Sequence, residues 1–184
     1  MRKGFTLVEL SIVLVIIGLL IGGVLKGKAM IDSTKQKRVK ADVDGIVAAV
    51  YAYQDRFGAL PGDNPSPVTA GCAAGNGNGL IETAAEQICA WRDLITAGFV
   101  AGNPALTTEA TVSKRSPYGG IYAFRNGTVG DRNGNYILIN NIPSNVAQTM
   151  DFKYDDDVWN TGDVQGSVTY PAVPASIDVS WFAF

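Results

Sequence analysis

The sequence contains no histidine and only two cysteines among its 184 residues. Without histidine, neither a Ser-His-Asp triad nor a Cys-His pair can form. Two thiols and no imidazole also leave too few ligands for a structural zinc site. The chain has no glycine-rich phosphate loop that ends in Lys-Ser or Lys-Thr. We therefore predict a protein that is not an enzyme and that requires no cofactor for its function.

Charge is nearly absent from a long stretch close to the N-terminus. Arg2 and Lys3 precede a run from Phe5 to Leu25 whose single charged residue is Glu9. About twenty apolar residues at ~1.5 Å each span the ~30 Å hydrocarbon core of a bilayer. A carboxylate inside such a span costs roughly 2.5–3.5 kcal/mol. We therefore expect a membrane-spanning helix in which Glu9 has a specific partner.

The position of this apolar run differs from that of an ordinary secretory signal. Such a signal is cut after its apolar segment, beside small residues, whereas Leu25 is followed by the charged Lys26 and Lys28. A cut at the junction of Gly4 and Phe5 would instead leave the apolar segment on the mature protein.

The residues around that junction follow a known pattern. They read Gly4-Phe5-Thr6-Leu7-Val8-Glu9-Leu10, followed by Ser11-Ile12-Val13-Leu14-Val15-Ile16-Ile17-Gly18. This segment closely resembles the class III leader peptide of type IV prepilins and type II secretion pseudopilins. The resemblance implies that a prepilin peptidase cleaves between Gly4 and Phe5 and methylates the new amino group of Phe5. It also implies that the N-terminus is cytoplasmic and that the rest of the chain crosses the inner membrane.

Cleavage at this place would give Glu9 a partner. The new α-amine on Phe5 has a reference pKa near 8, so it is protonated at neutral pH. It can pair with Glu9 of a neighbouring subunit, or within one chain at i, i+4 spacing. Because both charges lose hydration in a dry filament core, we expect the pair to select the register of assembly more than to add stability. The alternative is a carboxylate that is tolerated in an anchor helix and reaches the membrane surface.

Beyond the apolar run, a helical pattern continues. Apolar residues recur at steps of three and four, which is typical of an amphipathic helix. They are Val39, Val43, Ile46, Val47, Val50, Tyr53 and Phe57. We predict one helix from about Phe5 to Phe57.

The pattern and the resemblance together predict an α+β pilin fold. Its long N-terminal α-helix, hydrophobic in its first half, packs by its C-terminal half against an antiparallel β-sheet head. We expect four parts: a leader peptide (1–4), a transmembrane and filament-core helix (5–28), an amphipathic continuation of that helix (29–57), and a globular head with a disulfide loop and the sheet (58–184).

Helix and loop signals organise the first part of the head. Pro61 and Gly62 break the helical pattern. Residues 82–99 are predicted to form a short helix with its apolar residues on one side. Within it, the stretch from Ala90 to Phe99 is similar to the Trp-x-x-Leu…Ala-Gly segment of pilin-like proteins.

Strand signals fill the rest of the head. The pair Asn126-Gly127 predicts a two-residue hairpin turn, and Asn133-Gly134 predicts a second turn. Further strands are expected in residues 164–170 and 177–184, which alternate apolar and polar side chains. The expected result is an antiparallel sheet of four or five strands.

The two cysteines, Cys72 and Cys89, lie on either side of the end of a loop rich in Pro, Gly and Asn. An exported protein meets oxidising conditions, so we expect them to form a disulfide. For a loop of this size the chain-entropy model gives about 3 kcal/mol of stabilisation.

Four acidic residues in a later loop are candidate Ca²⁺ ligands. They are Asp155, Asp156, Asp157 and Asp163. The surrounding segment, residues 150–162, resembles the C-terminal loop of many pilin-like proteins, and some pseudopilins bind Ca²⁺ near their C-termini. Oxygen-rich loops suit Ca²⁺, which takes six to eight oxygen ligands. The alternative is a solvated or turn-forming acidic loop.

A basic stretch in the predicted helix raises the question of nucleic-acid binding. It contains Lys35, Lys37, Arg38 and Lys40. Apolar residues alternate with these charges and the formal net charge is −2, which favours a solvated helix face over a phosphate-binding surface.

Together these features predict a structural subunit of a type IV pilus-like filament, a fimbrium of a Gram-negative bacterium. The precursor is expected to cross the inner membrane once, and the processed chain to enter a periplasmic or extracellular filament. The expected partners are identical or related pilin subunits in a helical homopolymer, the prepilin peptidase, the inner-membrane assembly platform, and membrane lipid before assembly.

Three alternatives stay open. A type II secretion pseudopilin carries the same leader, and Ca²⁺ bound near Asp155 would favour it. A minor pilin primes assembly or binds a ligand at the filament tip. A membrane-anchored periplasmic domain that never polymerises would keep residues 1–4 on the chain.

Overall fold

A single long helix opens the described part of the chain. The computed structural model describes residues 6–170, 175–182 and 184, and helix α1 runs from Leu7 to Phe57. This confirms the predicted long N-terminal helix. Gly58 ends it with a left-handed φ of 75°, and its N–H donates to the carbonyl of Gln54 at 2.8 Å. Glycine adopts this conformation without a steric penalty, so it is the common residue just beyond a helix.

The chain divides into two compact units, Met1–Lys37 and Arg38–Phe184. Within the second unit, α1 buries one face that includes Val39 and Tyr53, both fully buried. Val47 and Phe57 are half-buried at the border of the same core. The predicted apolar stripe therefore forms part of the core of the head.

The head contains a four-stranded antiparallel sheet. Its strands are β1 (Tyr122–Val129), β2 (Arg132–Pro143), β3 (Val164–Gly166) and β4 (Ser176–Trp181). They lie in the order β1-β2-β4-β3. The sheet and α1 confirm the predicted α+β architecture.

The β1–β2 hairpin turns at a different place from the predicted one. β1 runs straight through Asn126-Gly127 and β2 through Asn133-Gly134, so both turn predictions are wrong. The chain reverses between Val129 and Arg132, which are paired. This register places Phe124 opposite Ile137, and both side chains are buried. A turn at Asn126 would lose this pairing of core residues, and burial decides register.

Three shorter helices complete the head: α2 (Ala84–Thr96), α3 (Glu109–Val112) and α4 (Ser144–Tyr154). α2 lies inside the predicted helical range. It begins with a capping box, because the Thr83 hydroxyl accepts from the N–H of Glu86 at 3.2 Å and the Glu86 carboxylate accepts from the N–H of Thr83 at 2.9 Å.

Helix α4 was not predicted, and residues 150–154 were expected to belong to a loop. The helix buries Val146, Ala147 and Met150. Its sequence is polar overall, so its start after Pro143 carries little apolar periodicity. The helix instead gains its stability from packing in the core, which overrides weak local preference.

A polar contact links the second half of α1 to the sheet. Asp42 is 9% exposed. It accepts a hydrogen bond from the hydroxyl of Tyr122 at 3.0 Å and forms an ion pair with Lys114 at 2.7 Å. Burial and the nearby carboxylate raise the pKa of the Tyr122 hydroxyl, so it stays protonated and serves as a donor at neutral pH.

We expect Asp42→Ala to destabilise the head by about 1–3 kcal/mol, because it leaves the buried Tyr122 hydroxyl without its acceptor. Urea unfolding of the full chain in detergent, followed by tryptophan fluorescence, measures the change. The matched control is Asp44→Ala, which removes an exposed i, i+4 pair with Lys40 and should cost about 1 kcal/mol or less. Equal stability of the two variants would contradict the role of Asp42.

Candidate functional site

Glu9 is held by Thr6, the residue just before α1. Its carboxylate accepts hydrogen bonds from the N–H of Thr6 at 2.9 Å and from the hydroxyl of Thr6 at 2.8 Å. The N–H of Glu9 donates in turn to Oγ1 of Thr6 at 3.2 Å. Thr6 and Glu9 therefore form a capping box, in which two side chains satisfy backbone N–H groups that a helix start leaves without partners.

Sequence reasoning missed this contact, although its signal is present. The pattern Thr-x-x-Glu in front of an apolar run is the usual sign of a capping box. Glu9 was assigned only to a pair with an amine. The two roles are compatible, because both contacts with the Glu9 carboxylate use Oε2 and a carboxylate offers a second oxygen.

The helix that carries Glu9 exposes a continuous apolar surface. Within it, Leu7 is 87% exposed and Leu19 is 78% exposed. By length and composition α1 can cross a membrane, and no residue of its most apolar 18-residue window is buried. Soluble proteins rarely expose apolar patches of this size. The surface therefore fits insertion into lipid or packing against other helices.

The predicted processing residues, Gly4 and Phe5, lie outside the described residues. Cleavage between them, methylation of Phe5 and the pairing of its amine with Glu9 accordingly stay predictions. The structure places Glu9 in the first turn of α1, which begins at Leu7.

Three carboxylates meet where α4 ends. Oxygen atoms of Asp151, Asp155 and Asp156 all lie within 4.8 Å of one another. Asp151 is fully buried. Its carboxylate accepts hydrogen bonds from the hydroxyl of Tyr170 at 2.7 Å and from the N–H of Asp157 at 3.1 Å. We call these three residues the acidic cluster.

Backbone and hydroxyl donors hold the other two members of the acidic cluster. Asp155 accepts from the N–H of Val164 at 2.6 Å. Asp156 accepts from the N–H of Val158 at 2.9 Å and from the hydroxyl of Thr161 at 2.5 Å. Loop geometry thus brings the two carboxylates against α4.

The structure places the four predicted Ca²⁺ ligands in different surroundings. Asp155 and Asp156 belong to the acidic cluster. Asp163 forms an ion pair with Arg132, and Asp157 contributes its backbone N–H to Asp151. Asp151 was not among the predicted ligands, since its segment was expected to be a loop, and only the helical path of α4 aims it at the others.

Burial dominates the electrostatics of the acidic cluster. It raises the pKa of Asp151, against the opposing effect of the Tyr170 hydroxyl and the Asp157 N–H, and repulsion from Asp155 and Asp156 adds to the increase. Burial also raises the pKa of Asp155. The hydroxyl of Thr161 lowers the pKa of Asp156. Two desolvated carboxylates beside an ionised one form a site that favours a proton or a cation.

The donor set of the acidic cluster fits Ca²⁺. This ion takes six to eight oxygen ligands, largely carboxylate, carbonyl and water oxygens. Each of the three carboxylates has lone pairs beyond those used by its hydrogen-bond donors. A bound divalent cation would also relieve the repulsion that burial imposes on Asp151 and Asp155.

A disulfide joins the loop that follows α1 to helix α2. Cys72 and Cys89 are bonded, with their Cα atoms 5.8 Å apart. The same loop is organised by Asp63, which is 1% exposed. Its carboxylate accepts from the backbone N–H groups of Gly77 at 2.8 Å and Gly79 at 2.7 Å. Disulfide and carboxylate together fix the course of the loop.

The basic stretch of α1 is engaged in part by the head. Lys40 forms an ion pair with Asp44. Its ammonium group also lies 5.9 Å from the ring centroid of Tyr154 and 5.7 Å from that of Trp181. Lys40 therefore packs against aromatic rings of the head. That the basic stretch does not bind nucleic acid stays a prediction.

Comparison with known families finds one match. Residues 1–25 match the model described as the prokaryotic N-terminal methylation motif. This motif, with its class III leader, is typical of type IV pilins and pseudopilins. Neither the curated proteins nor the solved structures contain a match to the chain.

Motif and architecture agree on the class of protein. The methylation motif covers the start of an apolar helix, and that helix continues into an α+β head. This combination is typical of type IV pilin and pseudopilin precursors. Pilins and pseudopilins are structural subunits, not members of an enzyme family.

We predict that the burial of Asp151 makes the stability of the head depend on pH. Because its pKa in the folded protein is raised above the ordinary 3.8, the folded state binds more protons than the unfolded state. The contribution of Asp151 to stability must therefore fall as pH rises from 3.8 through the raised value. Urea unfolding of wild type and Asp151→Asn measures the free energy of unfolding over this range. As pH rises, the free energy of unfolding of the variant should increase relative to that of wild type. Parallel pH profiles would contradict the prediction.

Proposed function

We propose that the chain is the precursor of a structural subunit of a type IV pilus-like filament. A prepilin peptidase removes residues 1–4, and the subunit leaves the inner membrane when its N-terminal helix packs among the helices of other subunits. The observation that supports this most directly is Glu9, an acid at the start of an otherwise apolar and exposed helix segment, within the methylation motif.

The physical argument begins with the exposed apolar surface. A helix with no buried residue in its apolar window is covered by lipid before assembly. Transfer into a filament must replace lipid with protein, and packing among apolar helices can do so without an aqueous step. Head-to-tail contacts that do not close on themselves then generate a helical polymer.

Glu9 gives this transfer its specificity. In the precursor, the capping box with Thr6 holds the carboxylate at the helix start. After cleavage, the amine on Phe5 supplies the cation that neutralises it, in the same chain or in a neighbour. A subunit docked in the wrong register would leave the carboxylate without a partner in a dry core, at a cost of several kcal/mol. The pair therefore selects one register.

Two related assignments share this mechanism. A type II secretion pseudopilin assembles a short periplasmic filament, and a bound cation at the acidic cluster would favour it. A minor pilin enters the same filament in few copies. All three require identical or related subunits, the prepilin peptidase and an inner-membrane assembly platform.

The capping and pairing roles of Glu9 can be separated by two variants. Glu9→Gln keeps an acceptor for the N–H of Thr6 and removes the charge, so we expect the precursor to insert while sheared filament yield falls at least tenfold. Thr6→Val removes the hydroxyl from the capping box and keeps the charge, and we expect it to cost about 1 kcal/mol of helix stability with most of the filament yield retained. Immunoblots of membrane and sheared fractions measure both.

The opposite order of effects would contradict the proposal. If Glu9→Gln assembles normally while Thr6→Val does not, the carboxylate serves the helix start alone. If neither variant changes the yield, Glu9 has no part in assembly. Equal amounts of each precursor in the membrane fraction serve as the control for insertion.

We also propose that the acidic cluster binds Ca²⁺, with Asp151, Asp155 and Asp156 as ligands. The support is the convergence of three carboxylates, one of them fully buried. We expect Ca²⁺ to raise the thermal stability of the head, by about 2.7 kcal/mol at a concentration 100-fold above the dissociation constant. Thermal unfolding of the chelated full chain with and without added Ca²⁺ measures this.

Two variants make the Ca²⁺ experiment specific. Asp156→Asn removes a ligand and should abolish most of the Ca²⁺ response. Asp55→Asn changes an exposed acid on α1 and should leave the response unchanged. A wild-type protein that does not respond to Ca²⁺, or an Asp156→Asn protein that responds as wild type does, would contradict the site.

A further inference from the structure

Arg92 on α2 occupies an unusual position beside the disulfide. The residue is only 8% exposed. Its guanidinium donates hydrogen bonds to the carbonyls of Pro104 at 2.7 Å and Ala70 at 2.9 Å. The remaining contacts of the guanidinium are to the carbonyl of Gly71 at 3.4 Å and to Sγ of Cys72, also at 3.4 Å.

The charge of Arg92 is offset by dipoles and not by a carboxylate. The ion pairs found in the described part of the chain do not include Arg92. Among the described residues, its hydrogen-bond partners are three carbonyl oxygens and one sulfur. A fixed, buried cation in contact with sulfur stabilises the thiolate form of that cysteine when the disulfide is reduced.

The two sulfurs of the bond are not equivalent. Cys72 lies in the loop and is half-buried, and it receives the hydrogen bond from Arg92. Cys89 lies on α2 and is 6% exposed. An incoming reagent therefore reaches Cys72 more easily, and the cation stabilises the thiolate of the same residue.

Contacts other than the disulfide also hold the loop around Cys72. Arg92 binds the carbonyls of Ala70 and Gly71 directly. On the other side of Cys72, the buried carboxylate of Asp63 holds the backbone at Gly77 and Gly79. None of these hydrogen bonds involves the disulfide bond itself, so reduction breaks none of them directly.

We propose that Cys72 is the reactive sulfur of the pair, activated by Arg92 for exchange with a disulfide-bearing oxidoreductase or small-molecule disulfide. The inference concerns the head alone and stands whether or not the chain polymerises. Arg92 determines which of the two cysteines reacts first. In the described part of the chain, its guanidinium donates a hydrogen bond to Sγ of Cys72 and none to Cys89.

The exchange proceeds in two balanced steps. The Cys72 thiolate attacks one sulfur of the oxidant's disulfide, which forms a mixed disulfide on Cys72 and releases the oxidant's second sulfur as a thiolate. Cys89 then loses its proton and attacks Sγ of Cys72, which forms the native bond and releases the oxidant's first sulfur. The two cysteines lose two electrons and two protons in total, and the oxidant's disulfide is reduced to two thiols.

The same asymmetry slows the reverse reaction. A reducing thiolate that attacks the accessible Sγ of Cys72 must expel Cys89, a buried thiolate without the guanidinium contact. Thiolates of higher pKa leave more slowly, and burial raises a thiol pKa. Attack on Cys89 would release the stabilised Cys72 thiolate, but that sulfur is shielded. The bond therefore forms readily in the folded head and is reduced slowly.

Single-cysteine variants of the full chain in detergent test the assignment. Thiolate absorbance against pH gives the thiol pKa of Cys72 in Cys89→Ala and that of Cys89 in Cys72→Ala. Each variant is measured folded and in urea, so that each cysteine has its own unfolded reference. We expect the pKa of Cys72 to fall by about one unit on folding, and the pKa of Cys89 to stay level or rise.

Reaction with oxidised glutathione at neutral pH gives a second readout. A one-unit fall in pKa raises the thiolate fraction nearly tenfold but lowers its nucleophilicity, so Cys72 should react about threefold faster folded than in urea. Arg92→Gln in the Cys89→Ala background should remove this gain. Arg56→Gln, at the exposed end of α1, is the matched control and should retain it.

Two outcomes overturn the proposal. One is a folded Cys72 whose pKa equals or exceeds its value in urea; this comparison needs no change at Arg92, so it holds even if Arg92→Gln fails to fold. The other is mass spectrometry that finds glutathione on Cys89 in Cys72→Ala faster than on Cys72 in Cys89→Ala.

Discussion

An ionised carboxylate within an apolar helix needs hydrogen-bond donors or a cation wherever the helix lies. In the described structure Thr6 supplies them through the capping box. In a membrane or a filament core, water cannot take over that task. The proposed amine on Phe5 is the one cation that cleavage at the methylation motif creates next to Glu9. Processing and assembly are thereby tied to the same carboxylate.

Acidic residues also organise the head. Asp42 joins α1 to β1 through the Tyr122 hydroxyl, Asp63 gathers the N–H groups of a glycine-containing loop, and Asp151 meets the hydroxyl of Tyr170. All three carboxylates accept hydrogen bonds from neutral donors, and Asp42 also forms an ion pair with Lys114. These hydrogen bonds therefore fix the geometry of the disulfide loop and of the acidic cluster within the head.

Patterns that depend on burial along one helix could be predicted from sequence, and those that depend on tertiary context could not. The apolar stripe from Val39 to Phe57 predicted the second half of the long helix, because steps of three and four place these residues on one face of a helix. The Asn126-Gly127 signal failed because cross-strand burial of Phe124 outweighed local turn preference. Asp151 was missed because α4 carries too little apolar periodicity to reveal which residues its last turn brings together. The cap at Thr6, by contrast, follows a local pattern, Thr-x-x-Glu, that the sequence alone contains.

The most direct test of the central claim is the mass of the N-terminal peptide in chains recovered from sheared extracellular material and from membranes. The account predicts that extracellular chains begin at Phe5 with one methyl group on the amine, and that membrane fractions contain both precursor and processed chain. Chains that keep Met1–Gly4 and occur only in the membrane fraction would contradict it, because the carboxylate of Glu9 would then have no amine to meet.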